Sequence, residues 1–207
     1  DSVASRGLGD VYKRQALARG DAVHKAIELL TLEWPNDLPD DCEAVLHDHL
    51  LHQLGAHGFE DAAMAREAPL ARNCARWLTE FERRRRERGV TLLIEQRGAM
   101  TFDAPAGPFT LKAFADRIEL SGTGAAVMDF KTGAAPSMKQ VKTGFSPQLT
   151  LTGAILAHGG FADTNGPVEP DELTYVRVVG RKVAGEVAVR GQGLEAAELS
   201  RGALEGP

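Results

Sequence analysis

The chain has 207 residues, with 24 lysines and arginines, 29 aspartates and glutamates, and two cysteines. This length fits one large domain or two small ones, and a hydrophobic content of 43% excludes disorder of the whole chain. No apolar run reaches the ~18 residues that a membrane-spanning helix needs. The net charge of -5 argues against a uniformly basic nucleic-acid-binding surface, while a local basic groove stays possible.

The two ends of the chain carry the weakest patterns. Residues 1–17 show no clear periodicity and are left unassigned, and residues 191–207 are weakly helical and are interpreted as a truncated C-terminal tail. The start is polar and lacks the apolar core of a secretory signal, so we expect a reducing, cytoplasmic location. The segment 18–190 holds the clear patterns and is interpreted as one domain.

Helical periodicity dominates the first half of the chain. Asp21 is a suitable N-cap for a first helix, which ends near Trp34 because a proline follows. A second helix is predicted over 41–56 and a third over 69–88, each followed closely by a glycine. These predictions give the molecule an N-terminal helical segment.

The period then changes to that of extended chain. Ser146 is a suitable N-cap for a further helix that begins with proline. Strands are predicted over five ranges: 90–96, 109–120, 125–130, 173–179 and 183–189. This order of elements predicts an α/β fold, with a mixed central sheet flanked by helices.

An Asp-x-Lys sequence on the third predicted strand is the most informative feature. Side chains alternate along a strand, so Asp129 and Lys131 project to the same face. Asp116 lies on the preceding strand, and antiparallel pairing across the turn at 121–124 brings it near Asp129. Paired carboxylates favour a cation such as Mg²⁺, and a neighbouring lysine can orient water and offset phosphate charge. The pattern is typical of metal-assisted phosphodiester hydrolysis.

Four short motifs together resemble the nuclease domain of the RecB group of PD-(D/E)XK nucleases. That family has Asp-Arg-Ile-Asp and Asp-Tyr-Lys-Thr-Gly stretches, and here Glu119 and Phe130 replace the second Asp and the Tyr. The motifs are Gly-Asp-Ala-Val-His at 20–24, Asp-Arg-Ile-Glu at 116–119, Asp-Phe-Lys-Thr-Gly at 129–133 and Pro-Gln-Leu at 147–149. The resemblance implies a PD-(D/E)XK, restriction-endonuclease-like core.

The resemblance also implies a set of metal ligands for Mg²⁺, with Mn²⁺ as a possible substitute. Asp116 and Asp129 correspond to the metal-binding carboxylates, and His24 to an upstream histidine at or near the metal. Without the resemblance, His24 would be interpreted as a helix-surface residue paired with Glu28. Glu95 stands where the family often has an acidic residue, although a plain strand-end glutamate is nearly as good an interpretation.

The remaining site residues follow from the same resemblance. With Asp116 and Asp129, Lys131 and Gln148 complete the implied catalytic set. Lys131 corresponds to the residue that positions the attacking water, and Gln148 to one that holds the lysine or the DNA. Lys139 and Lys142 are further candidates for phosphate contacts, and simple solvation is the alternative.

Within this group, the stretch from Ala18 to Val189 resembles the C-terminal nuclease domain of the AddB family, alphaproteobacterial type. The likeness implies a DNA exonuclease domain of an AddAB-type helicase–nuclease, which processes double-strand ends for recombinational repair. Its implied partners are single-stranded DNA and an AddA-like helicase subunit, with no membrane association. Many AddB proteins hold an iron–sulfur cluster, but Cys42 and Cys74 do not match its ligand positions, so we expect none.

Two other functions stay open at this point. One is a free-standing RecB-like nuclease of the CRISPR-associated type. The other is a catalytically silent module that binds DNA ends or acts as a scaffold. The joint presence of Asp116, Asp129, Lys131, His24 and Gln148 argues against a silent module.

Overall fold

The computed structural model describes residues 2–105 and 107–204. The chain divides into two compact units. The first comprises Asp1–Arg86, Lys131–Gly133 and Val178–Glu186, and the second comprises Glu87–Phe130, Ala134–Arg177 and Val187–Pro207. Within the described ranges, no helix is both long enough and apolar enough to cross a membrane.

The first unit is built on three helices: α1 (Ser2–Glu33), α2 (Cys42–Ala56) and α3 (Asp61–Arg86). Leucines at helical spacing fill its interior, with Leu30 and Leu78 fully buried. Arg19 of α1 donates hydrogen bonds from Nε and Nη2 to both carboxylate oxygens of Glu67 on α3, at 2.9 and 2.6 Å. This two-pronged contact fixes α1 against α3.

The segment Val178–Glu186 packs on α3 within the same unit. The side-chain amide of Asn73 donates a hydrogen bond of 3.0 Å to the carbonyl of Gly180. A methyl group at Gly185 would lie 2.3 Å from the Trp77 ring. Only glycine therefore lets this segment approach the helix so closely.

Two helices begin earlier than the sequence pattern predicts. The structure continues α1 back to Ser2, so Asp21 lies inside a helix and its prediction as an N-cap is wrong. Helix α3 begins at Asp61 and includes Pro69, which the pattern had placed at the start. Strong helix formers, at 13–19 and at 62–67, carry both helices across these positions.

The rest of the chain forms a mixed five-stranded sheet in the order β1-β2-β3-β4-β5, with helices beside it. The strands and helices are β1 (Thr91–Ala104), β2 (Gly107–Leu120), β3 (Ala125–Lys131), α4 (Met138–Lys142), α5 (Gln148–Ala157), β4 (Pro170–Val178), β5 (Gly185–Gln192) and α6 (Leu194–Gly202). Strand β2 pairs antiparallel with both β1 and β3. The predicted mixed sheet flanked by helices is confirmed.

The core of the second unit lies between the sheet and α5. Leu149, Ile155 and Leu156 of α5 are buried in one cluster with Ile118 of β2 and Val127 of β3. Burial of each such side chain contributes roughly 1.5–3 kcal/mol, which fixes the middle strands firmly. Asp116 and Asp129, two of the carboxylates predicted for the site, lie on these same strands.

Strand β1 is longer than the sequence pattern predicts. Its pairing with β2 continues from Thr91 opposite Leu120 to Ala104 opposite Gly107. The sequence pattern predicts that the first strand ends at Gln96 and that the second begins at Phe109. The structure makes the chain near Pro108 the tip of a long hairpin, because both strands keep their pairing up to that point.

Candidate metal centre

The Asp116 and Asp129 carboxylates come from neighbouring strands. The β2–β3 pairing ends with Arg117 opposite Met128, and the next position of this register sets Asp116 opposite Asp129. Both are largely buried, with 9% and 3% of their surface exposed. The backbone N–H of Phe130 donates a hydrogen bond of 2.8 Å to Oδ2 of Asp116. This bond fixes the Asp116 side chain where the strand ladder stops.

Glu95 approaches Asp116 from the other neighbouring strand. Ile94 lies opposite Arg117 and Gln96 lies opposite Ala115, so Glu95 falls at the position across from Asp116. A carboxylate oxygen of Glu95 lies within 4.8 Å of one of Asp116. Two negative charges this close repel each other unless a cation lies between them or one is protonated.

The backbone of Glu95 is unusual for a strand residue. Its φ angle is +52°, in the left-handed region that residues with a Cβ rarely adopt. That conformation costs on the order of 1–2 kcal/mol relative to ordinary backbone. The distortion falls at the residue whose carboxylate faces Asp116, a combination found where strain serves a site.

Lys131 is the last residue of β3 and is half-buried. Alternation along the strand directs it to the same face as Asp129. In the first unit, the next residue, Thr132, lies close to α1: a methyl group at Gly20 would be 3.4 Å from its Oγ1. The sequence motif at 20–24 and the 131–133 end of the Asp-Phe-Lys-Thr-Gly motif therefore lie close together within this unit.

His24 is half-buried on α1, one turn beyond Gly20. The alternative interpretation paired it with Glu28, whose carboxylate instead accepts a hydrogen bond of 2.8 Å from Lys25. The position of His24 relative to Thr132 thus follows from the packing of Gly20. Its role in metal binding is taken up under the proposed function.

Gln148 is the first residue of α5, and its side chain is exposed. The helix is preceded by Pro147 as N-cap, one residue later than the predicted cap at Ser146. Lys142, at the end of α4, forms an ion pair of 3.1 Å with Glu195. The candidate phosphate contact at Lys142 is therefore engaged with a carboxylate in this structure, whereas Lys139 is exposed.

Tyr175 and Arg190 are neighbours of Asp129 that the sequence pattern did not single out. Burial, together with the charge of Asp129, raises the pKa of Tyr175 to about 12, while Arg190 opposes the rise. The Arg190 guanidinium lies 6.0 Å from the centre of the Tyr175 ring. The only sequence signal was a tyrosine within a predicted strand, at 173–179. These side chains line the Asp129 side of the centre.

The chain belongs to the PD-(D/E)XK nuclease superfamily, which matches residues 4–205. Members of this superfamily are generally nucleases, and they typically use a divalent metal. The match spans both units and includes Glu95, Asp116, Asp129 and Lys131. It agrees with the order of helices and strands in the structure.

Two curated relatives come from Rickettsia. An uncharacterized protein of Rickettsia bellii is 25% identical over 111 residues, which are 47% of this chain and 13% of the relative. An uncharacterized protein of Rickettsia felis is 31% identical over 101 residues, 48% of this chain and 11% of the relative. The matched part thus spans about a tenth of the relatives' length. The crystal structure of SSO0001 covers 68% of this chain and 65% of its own, with 13% identity and a TM-score of 0.33.

The residues of the second unit fit a hard divalent cation. Glu95 and Asp116 present carboxylate oxygens within 4.8 Å of each other, and Asp129 is buried beside them on β3. Mg²⁺ and Mn²⁺ prefer such oxygen donors, whereas a site for zinc or copper would be richer in nitrogen or sulfur. Close carboxylates of like charge are also stabilised by a cation in a way that no neutral ligand could reproduce.

Proposed function

We propose that this chain is a metal-dependent deoxyribonuclease centred on Glu95, Asp116, Asp129 and Lys131. The observation that carries the proposal is the approach of the Glu95 and Asp116 carboxylates within 4.8 Å. Membership of a nuclease superfamily supplies the reaction class, hydrolysis of a phosphodiester bond.

The three carboxylates would hold Mg²⁺ or Mn²⁺. A bound ion of this kind supplies charge neutralisation of the phosphate and acidification of a water molecule. Asp116 would keep its ligand geometry because the Phe130 N–H holds one of its oxygens. Glu95 would be aimed at the same place by its left-handed backbone.

Lys131 is the residue proposed to handle the attacking water. Its ammonium group, on the face that carries Asp129, would orient the water through a hydrogen bond and offset the charge that develops on the phosphate. Half-burial of Lys131 strengthens both interactions, because an ammonium screened from solvent acts more strongly on nearby charge.

His24 and Gln148 are proposed as supporting residues. His24 matches the upstream family histidine and is proposed as a metal ligand. The close approach of Gly20 to Thr132 supports this, since it brings the turn that carries His24 near the segment Lys131–Gly133 of the same unit. Gln148, exposed at the start of α5, is proposed to contact the DNA backbone or Lys131.

The finer proposal is an exonuclease domain of an AddAB-type helicase–nuclease. It is supported by the resemblance of the stretch Ala18–Val189 to the C-terminal nuclease domain of the AddB family. Such a domain would receive single-stranded DNA from a helicase and act in double-strand break repair in the cytoplasm. Co-purification with an AddA-like helicase subunit encoded nearby would support this context, and a gene neighbourhood of CRISPR components would contradict it.

Cleavage of end-labelled single-stranded DNA tests the activity. We expect cleavage with Mg²⁺ or Mn²⁺ that stops on chelation. Asp129→Asn or Lys131→Ala should each lower the rate by about 100-fold or more with the circular dichroism spectrum unchanged. The matched controls Asp163→Asn and Lys182→Ala alter exposed residues and should cleave normally. Metal-dependent DNA binding without any cleavage by the wild type would instead indicate a silent binding module.

A further inference from the structure

The outer half of the β1–β2 hairpin has one covered face and one open face. We call residues 97–105 and 107–114 the hairpin arm. On its covered face, Met100, Leu111 and Ala113 pack against the core of the second unit. A methyl group at Gly98 on that face would lie 2.5 Å from the ring of Phe161, which shows how tightly this face is covered.

The other face of the hairpin arm, here the arm face, is open to solvent. The Thr101 and Thr110 hydroxyls lie 2.8 Å apart across the strands, so these paired residues project to one side. Three cross-strand pairs on this face are exposed: Arg97 opposite Phe114, Ala99 opposite Lys112, and Thr101 opposite Thr110. A large aromatic ring that is 43% exposed at Phe114 is the most prominent of them.

Between the metal centre and the tip of the arm, the charged side chains of the arm face are the cations Arg97 and Lys112. Within residues 2–105 and 107–204, neither Arg97 nor Lys112 makes an ion pair, whereas Arg88 pairs with Glu172 at 3.2 Å. The acidic side chains in the same register lie at the two ends of this stretch: Asp103 at the far tip, and Glu95 and Asp116 at the metal centre. Two unpaired cations and an aromatic ring beside the metal centre complement a polyanion that also has flat rings.

We propose that the arm face is a docking track for one strand of single-stranded DNA, leading to the metal centre. The proposal rests on the proposed nuclease function and names the substrate groups. Arg97 and Lys112 contact phosphates, and Phe114 stacks on a base. Stacking of bases on exposed aromatic rings and neutralisation of phosphates are the two interactions that proteins use to bind single strands without sequence preference.

The spacing along the strands fits such a track. Phe114 is two residues from Asp116, and Lys112 is four residues from it, which at about 3.4 Å per residue gives about 7 and 14 Å. Arg97 likewise lies two residues beyond Glu95. A strand held on the arm face therefore has a phosphate within reach of the carboxylates.

Binding in the presence of chelator tests the track without any cleavage. The probe is a fluorescein-labelled oligothymidylate, followed by anisotropy on the full 207-residue chain. Phe114→Ala should raise Kd by about tenfold or more. Phe109→Ala is the matched control, because this ring is 51% exposed on the same strand but on the opposite face. Its Kd should stay within twofold of the wild-type value. Equal effects of the two substitutions would overturn the proposal.

The two cations are tested through the salt dependence. A double variant that combines Arg97→Gln and Lys112→Gln should reduce the slope of log Kd against log salt concentration by about 1.4. Each phosphate contact on a single strand contributes about 0.7 to this slope. Arg181→Gln with Lys182→Gln, two exposed cations on the turn before β5, should leave the slope unchanged. An unchanged slope in the arm variant would overturn the proposal.

Kinetics separate this proposal from the proposed function. In Mg²⁺, Phe114→Ala should raise KM with kcat within twofold of wild type, because Phe114 holds substrate away from the reacting phosphate. If the wild type cleaves DNA but Phe114→Ala and Phe109→Ala behave alike, the arm assignment fails and the nuclease stands. If the wild type neither binds nor cleaves DNA, the proposed function fails, and the docking track fails with it.

Discussion

At the scale of single residues, the candidate site combines features that follow from the sequence with one that does not. Strand alternation and a short turn predict that Asp116 faces Asp129, because both rules depend only on spacing. The left-handed backbone of Glu95 follows no such rule, since a glutamate in a strand pattern predicts ordinary extended chain. The sequence therefore indicated an acidic residue near the site, but it did not indicate the backbone conformation that directs the Glu95 side chain.

Substitution of Glu95 separates its backbone strain from its carboxylate. Both Glu95→Ala and Glu95→Gly remove the ligand and should abolish metal-dependent cleavage. Glycine adopts a φ of +52° freely. The free energy of unfolding of Glu95→Gly should therefore exceed that of Glu95→Ala by about 1 kcal/mol. Urea denaturation of the two variants measures this difference. Equal stability would show that residue 95 is not held in the left-handed conformation.

Neutralising Asp116 should stabilise the metal-free protein while removing its response to metal. Asp116→Asn keeps an oxygen that accepts from the Phe130 N–H and removes the repulsion from Glu95. We expect a higher Tm than wild type in chelator. Added Mg²⁺ should raise the Tm of the wild type, because binding to the folded state stabilises it, but should leave that of the variant unchanged. A wild-type Tm that is indifferent to Mg²⁺ and Mn²⁺ would contradict a metal centre here.

At the scale of elements, α2, β3 and α5 follow the sequence pattern closely, whereas the length of β1 and the starts of α1 and α3 do not. The buried runs on β3 and α5 are mostly apolar, so few alternatives exist for them. Helix α3 crosses Pro69 because six good helix formers precede the proline, and the residues beyond it bury one face of the helix, with Ala71, Cys74 and Leu78. Tertiary packing decided this boundary, and packing is not visible in a local pattern.

The close approach of Gly98 to Phe161 fixes the edge of β1. A methyl group at Gly98 would lie 2.5 Å from this buried ring, so Gly98→Ala should destabilise the fold by about 1–3 kcal/mol. Adding Phe161→Leu should recover part of the loss, because the smaller side chain leaves room for the methyl group. Gly122→Ala, where nothing lies within 4 Å, is the control and should be close to neutral. Equal losses in Gly98→Ala and Gly122→Ala would contradict the packing of this edge.

A buried ion pair explains one departure from the family motif. Glu119 replaces an aspartate, and its carboxylate lies 2.7 Å from Nη2 of Arg117, with both side chains almost fully buried. Arg117→Met alone should cost about 3–5 kcal/mol, because it leaves the Glu119 charge in the interior without this cation. Arg117→Met with Glu119→Leu should recover much of that loss. Thermal unfolding of the single and double variants measures the coupling, and additive losses would contradict a direct interaction.

At the scale of the whole molecule, superfamily membership was predictable and the biological context was not. The four motifs are spread from residue 20 to residue 149, and their joint presence is specific even though each is short. A helicase partner or a repair pathway leaves no such signature within this chain. Those inferences depend on resemblance alone and stay proposals.

The cysteines give a test that depends on the state of the whole fold. Burial, together with the charge of Glu67, raises the pKa of Cys74 to about 12, and burial also raises the pKa of Cys42. Since the thiolate is the reactive form, neither thiol should react quickly with a disulfide-exchange dye at pH 8, and both should react once the protein is unfolded. Above pH 9 the unfolded thiol ionises while the folded Cys74 does not, so this group's contribution to stability is lost between about pH 9 and 12.

The purified protein should also be colourless and free of iron. A thiol that reacts rapidly in the native state, or stoichiometric iron and sulfide with a visible absorption band, would show that a cysteine is exposed or ligates a cluster.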